Sequence, residues 1–275
     1  MNRELLMRIG TAVVGIPLCL GLIWFKLEGL LILAACLSGL GLFEFYAAFD
    51  TGFKKRILAI IGFPFLLFWL CFLLFWKILP KEEFLFLSII LVFCSTSIAI
   101  LFSKSIENSF QKISLIVGGW CYILFPMALW AFLCIDGKNY YHPEIGIGLL
   151  FLIWTSDTLA YFGGKWFGKH KLLPSISPKK TWEGAITGFV FTQLTAFLLD
   201  KYWSISFHPW WLAGLVIGVF CPIGDLVESQ WKRSLLVKDT GSFLPGHGGI
   251  LDRFDGFLLA IPIWYSVVKI WLWVI

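Results

Sequence analysis

Charged side chains are scarce in this chain. Asp, Glu, Lys and Arg make up 14% of its 275 residues, against about 25% in soluble domains. So few charges cannot clothe a water-facing surface, which excludes a soluble globular enzyme. Cysteine occurs seven times but never as Cys-x-x-Cys. Cys19, Cys36, Cys71, Cys94, Cys121, Cys134 and Cys221 fall within or at the ends of apolar runs and read as small apolar residues, not as a disulfide framework or zinc site. The chain also lacks a repeat, a low-complexity tract and any polar stretch long enough for a separate soluble domain. Apolar surface, by contrast, is plentiful: 59% of residues are hydrophobic, with 28 Phe and 15 Trp. That excludes disorder and makes the bilayer the natural solvent.

Stretches of about 20 apolar residues, enough to cross about 30 Å of hydrocarbon as a helix, occur nine times: residues 8–25, 29–49, 57–75, 84–102, 113–135, 145–162, 182–199, 210–227 and 256–275. The sequence therefore predicts an all-α, polytopic integral membrane helical bundle with about nine transmembrane helices. The first span follows Arg3 and Arg8, but Ile23-Trp24-Phe25-Lys26 offers no small-residue cleavage site, so it reads as retained. Alternate connections hold sixteen Lys and Arg on one side and five on the other, with Lys269 in the last helix. Positive charge stays on the cytoplasmic side. The expected topology thus has a cytoplasmic N-terminus and an external C-terminus, in the cytoplasmic (inner) cell membrane.

The polar chemistry is unevenly placed. The two longest inner connections, residues 163–181 and 228–255, carry nine of the sixteen inner positive charges. We expect one membrane domain over residues 1–275, with 1–144 as helical scaffold and 145–275 as the catalytic portion facing the cytoplasm.

Within Cys221-Pro-Ile-Gly-Asp225-Leu-Val-Glu228-Ser229-Gln-Trp-Lys232-Arg233, helical spacing puts Asp225, Glu228, Ser229 and Lys232 on one face. A carboxylate near a helix end in lipid needs a cation or metal partner, or serves assembly through a lysine. The next stretch, Lys238 to Asp255, has four glycines, whose small size lets backbone N–H groups approach an anion. Lys238 and Arg253 can neutralise phosphate there. Asp252 and Asp255, three apart at a predicted helix start, face one side with oxygen ligands suited to Mg²⁺.

The other long connection contains Ser177-Pro-Lys179-Lys180-Thr181-Trp-Glu183-Gly, a density of lysine and hydroxyl donors suited to a polyphosphate or a lipid phosphate. Lys165, Lys169 and Lys171 need no more than attraction to anionic lipid. Asp157 lies inside an apolar span with Tyr161 four residues on, and so faces the bundle interior or a wet cavity. Glu44, the remaining intramembrane acid, reads as structural, paired with a lysine or lining a cavity. His142 and His208 lie in outer loops and carry no functional reading. His170 and His247 are better placed to bond a phosphate-binding loop than to move protons.

At these residues the sequence resembles the CTP:phosphatidate cytidylyltransferases, or CDP-diacylglycerol synthases. The resemblance rests on Ser229-x-x-Lys232-Arg233, Lys238-Asp239-x-Gly241, Pro245-x-His247-Gly248-Gly249 and Asp252-Arg253-x-Asp255 in unbroken spacing, with Ser177-Pro-Lys-Lys-Thr-Trp-Glu-Gly upstream. Trp231 departs from the aliphatic residue or Phe expected there. The motifs cover about the last 120 residues; before Ile145 only hydropathy supports the resemblance.

The resemblance implies transfer of CMP from CTP to phosphatidic acid, releasing pyrophosphate, in a Mg²⁺-dependent membrane enzyme of phospholipid biosynthesis. Carried over residue by residue, Asp225 and Asp252 are the first choices as metal ligands, with Asp255 and Asp239 behind them. Asp225, Asp252, Lys238 and Arg253 become the catalytic set. Ser177, Lys179, Lys180, Thr181, Ser229, Lys232, Arg233, His247, Gly248, Gly249 and Asp157 become substrate contacts. The partners implied are CTP, phosphatidic acid and the bilayer, with no nucleic acid; the oligomeric state is unset, and a homodimer is allowed. Two other classes compete. A secondary transporter of an anionic substrate would place its polar residues at the midplane, and another lipid phosphotransferase would carry an Asp-Gly-x-x-Ala-Arg type of signature.

Overall fold

A computed structural model of the protein describes residues 3–49, 54–76, 81–101, 109–237, 239–241, 243 and 248–274. These residues form nine helical rods. The first four are α1 (Arg3–Phe25), α2 (Leu27–Ala48), α3 (Lys54–Phe75) and α4 (Lys81–Leu101). The fifth joins α5 (Ser109–Gly119), a π-helical turn (Trp120–Leu124) and α6 (Phe125–Leu133). Then come α7 (Pro143–Phe167), α8 (Trp182–Tyr202), α9 (Trp210–Ser234) and α10 (Leu251–Val274). Among the described residues, five stretches are long and apolar enough to cross a membrane: Leu27–Ala48, Ile113–Leu133, Pro143–Phe167, Trp210–Ser234 and Leu251–Val274. The chain is an all-α, multi-pass membrane protein.

Several helices outrun their apolar stretches, among them three that flank the two longest inner connections. α7 continues to Phe167, α9 to Ser234, and α10 begins at Leu251. Hydropathy marks only where side chains suit lipid, whereas a helix goes on satisfying its own backbone groups beyond that boundary. The long inner connections shrink accordingly. The one after α7 folds as an antiparallel ribbon of β1 (Lys171–Leu173) and β2 (Ser177–Thr181), with Lys171 opposite Thr181 and Leu173 opposite Ser177. The π-helical turn precedes Pro126. Proline has no N–H to donate and its ring crowds the carbonyl four residues back, and a one-residue bulge relieves both.

The two ends of the chain pack by different means. In the N-terminal portion, Phe68, Phe72, Phe84, Trp120 and Phe132 interlock edge-to-face or stacked, with centroids such as Phe72–Phe132 4.6 Å apart. In the C-terminal portion, α7 and α8 meet backbone to backbone. A Cβ built on Gly184 would lie 2.6 Å from the Ala160 carbonyl oxygen, and one on Gly188 would lie 2.8 Å from that of Ser156. Helices in lipid gain little from apolar burial, so this small-xxx-small approach supplies their cohesion through dispersion. Gly188→Val is expected to force the pair apart at a cost of about 1–3 kcal/mol. The measurement is the thermal midpoint in detergent, and an unchanged midpoint would contradict the contact.

Contacts sort by the two ends of the bundle in the way that alternating spans require. At the external end of the expected topology, Lys81 Nζ donates to the Phe132 and Ile135 carbonyls, and Tyr141 Oη donates to that of Ile23. At the other end, Tyr46 Oη donates to the Ile116 carbonyl, and Phe45 stacks on Trp231.

His208, in the connection between α8 and α9, is fully buried. Its Nε2 accepts a hydrogen bond from Trp264 Nε1 at 2.9 Å, and burial pushes its pKa down from 6.5 to about 3. Because the unfolded chain takes up the proton first, the stability from this neutral imidazole is complete above about pH 6.5 and falls as pH drops toward 3. His208→Gln is expected to flatten that pH dependence of the thermal midpoint; an equally steep profile would place the titration elsewhere.

Candidate active site

Most charged residues of the C-terminal portion gather where the end of α9 and the start of α10 meet the ribbon and the glycine-rich segment. Thr181 ends β2 and caps α8, its Oγ1 accepting from the Gly184 amide at 3.2 Å. Glu183 grips the ribbon's entry: its carboxylate accepts from the Lys169 and His170 amides and lies 2.6 Å from His170 Nδ1. Thus anchored, the ribbon extends Lys180 to α9. Lys180 Nζ lies 2.6 Å from Asp225 Oδ2 and donates to the Pro222 carbonyl at 3.3 Å. Ser229, one turn after Asp225, donates to Asp225 Oδ1 at 3.2 Å.

A second ionic group sits one turn further along α9. Glu228 is fully buried, and Lys232 Nζ lies 3.2 Å from its Oε1 and 2.8 Å from Asp252 Oδ1 on α10. Asp252 also accepts from the amides of Thr240 and Gly249, at 3.1 and 3.0 Å to Oδ2. It is therefore both an ion-pair partner and the knot that holds the glycine-rich segment to the first turn of α10, where the helix's unpaired N–H groups favour an anion. Next to Asp252, Gly248 takes φ +83°, which glycine adopts without steric cost.

The two helices carrying these acids touch closely. A Cβ on Gly224 would lie 2.8 Å from the Asp255 carbonyl oxygen and 3.0 Å from the Gly256 Cα. That contact sets Asp225 and Asp255 on abutting turns. Asp157, on α7, accepts from Cys221 Sγ at 3.4 Å.

The expected site residues therefore divide. Lys180, Asp225 and Ser229 form one contact group and Lys232, Asp252 and Gly249 a second, both built on α9, with Asp157 and Asp255 beside the first. Ser177 is half-buried on β2, while Lys179, Arg233, Asp239 and Arg253 are exposed. Lys238 and His247 lie outside the described residues. Two acids outside the expected site set also reach it. Glu228 was visible on the face of α9 but not given a function. Glu44 was given a lysine or a cavity as its setting, whereas its partner is the Leu251 backbone amide.

Mg²⁺ is the ion the resemblance implies. Among the described residues no three of His, Cys, Asp and Glu form a group able to hold a metal by themselves, and Asp225 and Asp252 each hold a lysine. Mg²⁺ is usually bound by one or two carboxylates completed by substrate phosphates and water, not by an all-protein cage. An oxygen-only donor set with lysines ready to turn toward phosphate fits that kind of site.

The family model described as "Cytidylyltransferase family" matches residues 6–271. Phosphatidate cytidylyltransferase of Staphylococcus aureus (strain COL) is 46% identical over 114 residues, which is 41% of this chain and 44% of the relative. The protein of the same name from Staphylococcus haemolyticus (strain JCSC1435) is 40% identical over 135 residues, 46% of this chain and 52% of the relative. The chain spans about half the length of the curated relatives it matches.

Proposed function

This chain belongs to the cytidylyltransferase family, and on that footing we propose that it transfers CMP from CTP to phosphatidic acid, giving CDP-diacylglycerol and pyrophosphate. The observation that carries the reading is the network in which motifs from the ribbon, α9 and α10 meet at one end of the bundle. Lys180–Asp225 and Lys232–Asp252 join three separate segments of the chain through α9.

In the reaction a phosphate oxygen of phosphatidic acid bonds to the α-phosphorus of CTP, and the bond to the β-phosphate oxygen breaks. The nucleophile is already an anion, so no strong base is required; the obstacle is repulsion between two phosphates. Lys180 and Lys232, now held by carboxylates, and the exposed Lys179, Arg233 and Arg253 neutralise that charge and align the reactants. Ser229 and the amides of Gly248 and Gly249 supply neutral donors. Asp225 and Asp252, with Asp255 behind them, are the residues that would hold Mg²⁺, which when bound neutralises phosphate oxygens and favours departure of pyrophosphate.

We assign the reaction to residues 145–275, at the cytoplasmic face of the inner membrane, where a lipid phosphate and cytosolic CTP meet. The test is purified protein in detergent with labelled CTP, phosphatidic acid and Mg²⁺, scored for label in the organic phase. Label that appears and is abolished by chelator is the expected result. Accumulation of an anion by sealed vesicles, with no lipid-soluble cytidine, would replace this reading with transport.

A further inference from the structure

Glu44 belongs to the inner half of α2, well before the portion assigned the chemistry, yet its carboxylate reaches the glycine-rich segment. It is 4% exposed, and its Oε2 accepts the amide of Leu251, the first residue of α10, at 2.9 Å. A Cβ on Gly249 would lie 2.6 Å from that oxygen and 2.7 Å from Thr240 Oγ1, and one on Gly241 would collide with Glu44 Oε1. Both Glu44 Oε1 and Thr240 Oγ1 are buried and have no hydrogen-bond partner among the described residues. A buried anion costs less at a helix N-terminus, where free N–H groups concentrate. The neighbouring Phe45 stacks on Trp231 at 4.9 Å and 16°, so α2 is held against α9 while Glu44 meets α10.

We propose that Glu44 is a positioning residue for the reaction: it latches α2 to the first turn of α10, closes the segment of Thr240, Gly241 and Gly249 around its carboxylate, and so aims Asp252. Asp252 bonds the amides of Thr240 and Gly249 from the other side, so the loop is clamped between two carboxylates. Releasing one lets the other drift. The inference rests on the function proposed above, since Asp252 is the residue being aimed.

The experiment pairs amide hydrogen exchange, without substrate, with steady-state kinetics on wild type, Glu44→Ala and Glu44→Gln. Glutamine keeps an oxygen for the Leu251 amide, and alanine does not. In wild type and Glu44→Gln the Leu251 amide is expected to be protected, with turnover close to normal. In Glu44→Ala its exchange rises about tenfold or more, as loss of a hydrogen bond to a charged acceptor allows. Turnover at saturating CTP falls about 10²-fold, the cost of a small misplacement of catalytic groups, while the CTP KM stays near that of wild type. A purely packing role would also survive the isosteric glutamine change, but it would not split kcat from KM.

A Leu251 amide that exchanges freely in wild type overturns the latch, and so does Glu44→Ala with normal kcat. If Glu44→Ala cannot be purified, the wild-type and Glu44→Gln exchange still decides. A protected Leu251 in a wild-type protein that transfers no CMP would instead sink the proposed reaction.

Discussion

Replacing Asp252 with Asn is expected to lower CMP transfer by about 10²–10³-fold, the range seen when a preorganised electrostatic contact is removed, with the protein still extracting as a folded species. Asn keeps the shape and can still accept from the Gly249 or Thr240 amide. It loses the charge that Lys232 Nζ approaches at 2.8 Å and presents an amide N–H where the lysine expects an acceptor. Asp225→Asn is expected to behave alike, because Lys180 at 2.6 Å and Ser229 at 3.2 Å both converge on that carboxylate. The measurements are organic-phase label per mole of protein and the elution profile in detergent. Near-normal transfer in both variants would remove these aspartates from the catalytic set.

The second large effect is expected on stability. Lys232 is the lysine between a fully buried Glu228 and the nearly buried side chain of Asp252, 6% exposed. Lys232→Met leaves two carboxylates facing each other without it, and breaking such a buried pair by removing one partner costs about 3–5 kcal/mol. The double variant Glu228→Gln, Lys232→Met removes one of those charges and should recover a large part of the loss. A double-mutant cycle on the thermal midpoint reads the coupling directly. Additive effects, with no recovery, would mean that Glu228 finds its compensation elsewhere.

The features legible in the sequence are those that repeat locally. Nine apolar stretches gave nine rods, and helical spacing placed Asp225, Glu228, Ser229 and Lys232 on one face because an i, i+3, i+4, i+7 pattern is a property of one helix. The ribbon escaped notice because two strands of three and five residues, rich in lysine and proline, show no alternation to read. Gly184 and Gly188 carry a spacing suited to close helix contact, but only the partner helix reveals that it is used. The Glu44–Leu251 bond joins residues 207 apart, and a single side-chain acceptor meeting a backbone amide leaves no periodic trace in either segment. The cost of a buried charge predicts a lysine partner or a cavity for Glu44; the N-terminus of α10 meets the same need with dipoles.

The seam between α7 and α8 bears on how a two-tailed substrate gets in. With Gly184 and Gly188 set against the carbonyls of Ala160 and Ser156, the two backbones touch at those levels and leave no room there for a methylene chain. On the function proposed above, the diacyl substrate enters past another flank of the bundle, and fluorinated or spin-labelled tails are expected to report neighbours on that flank, not on this one.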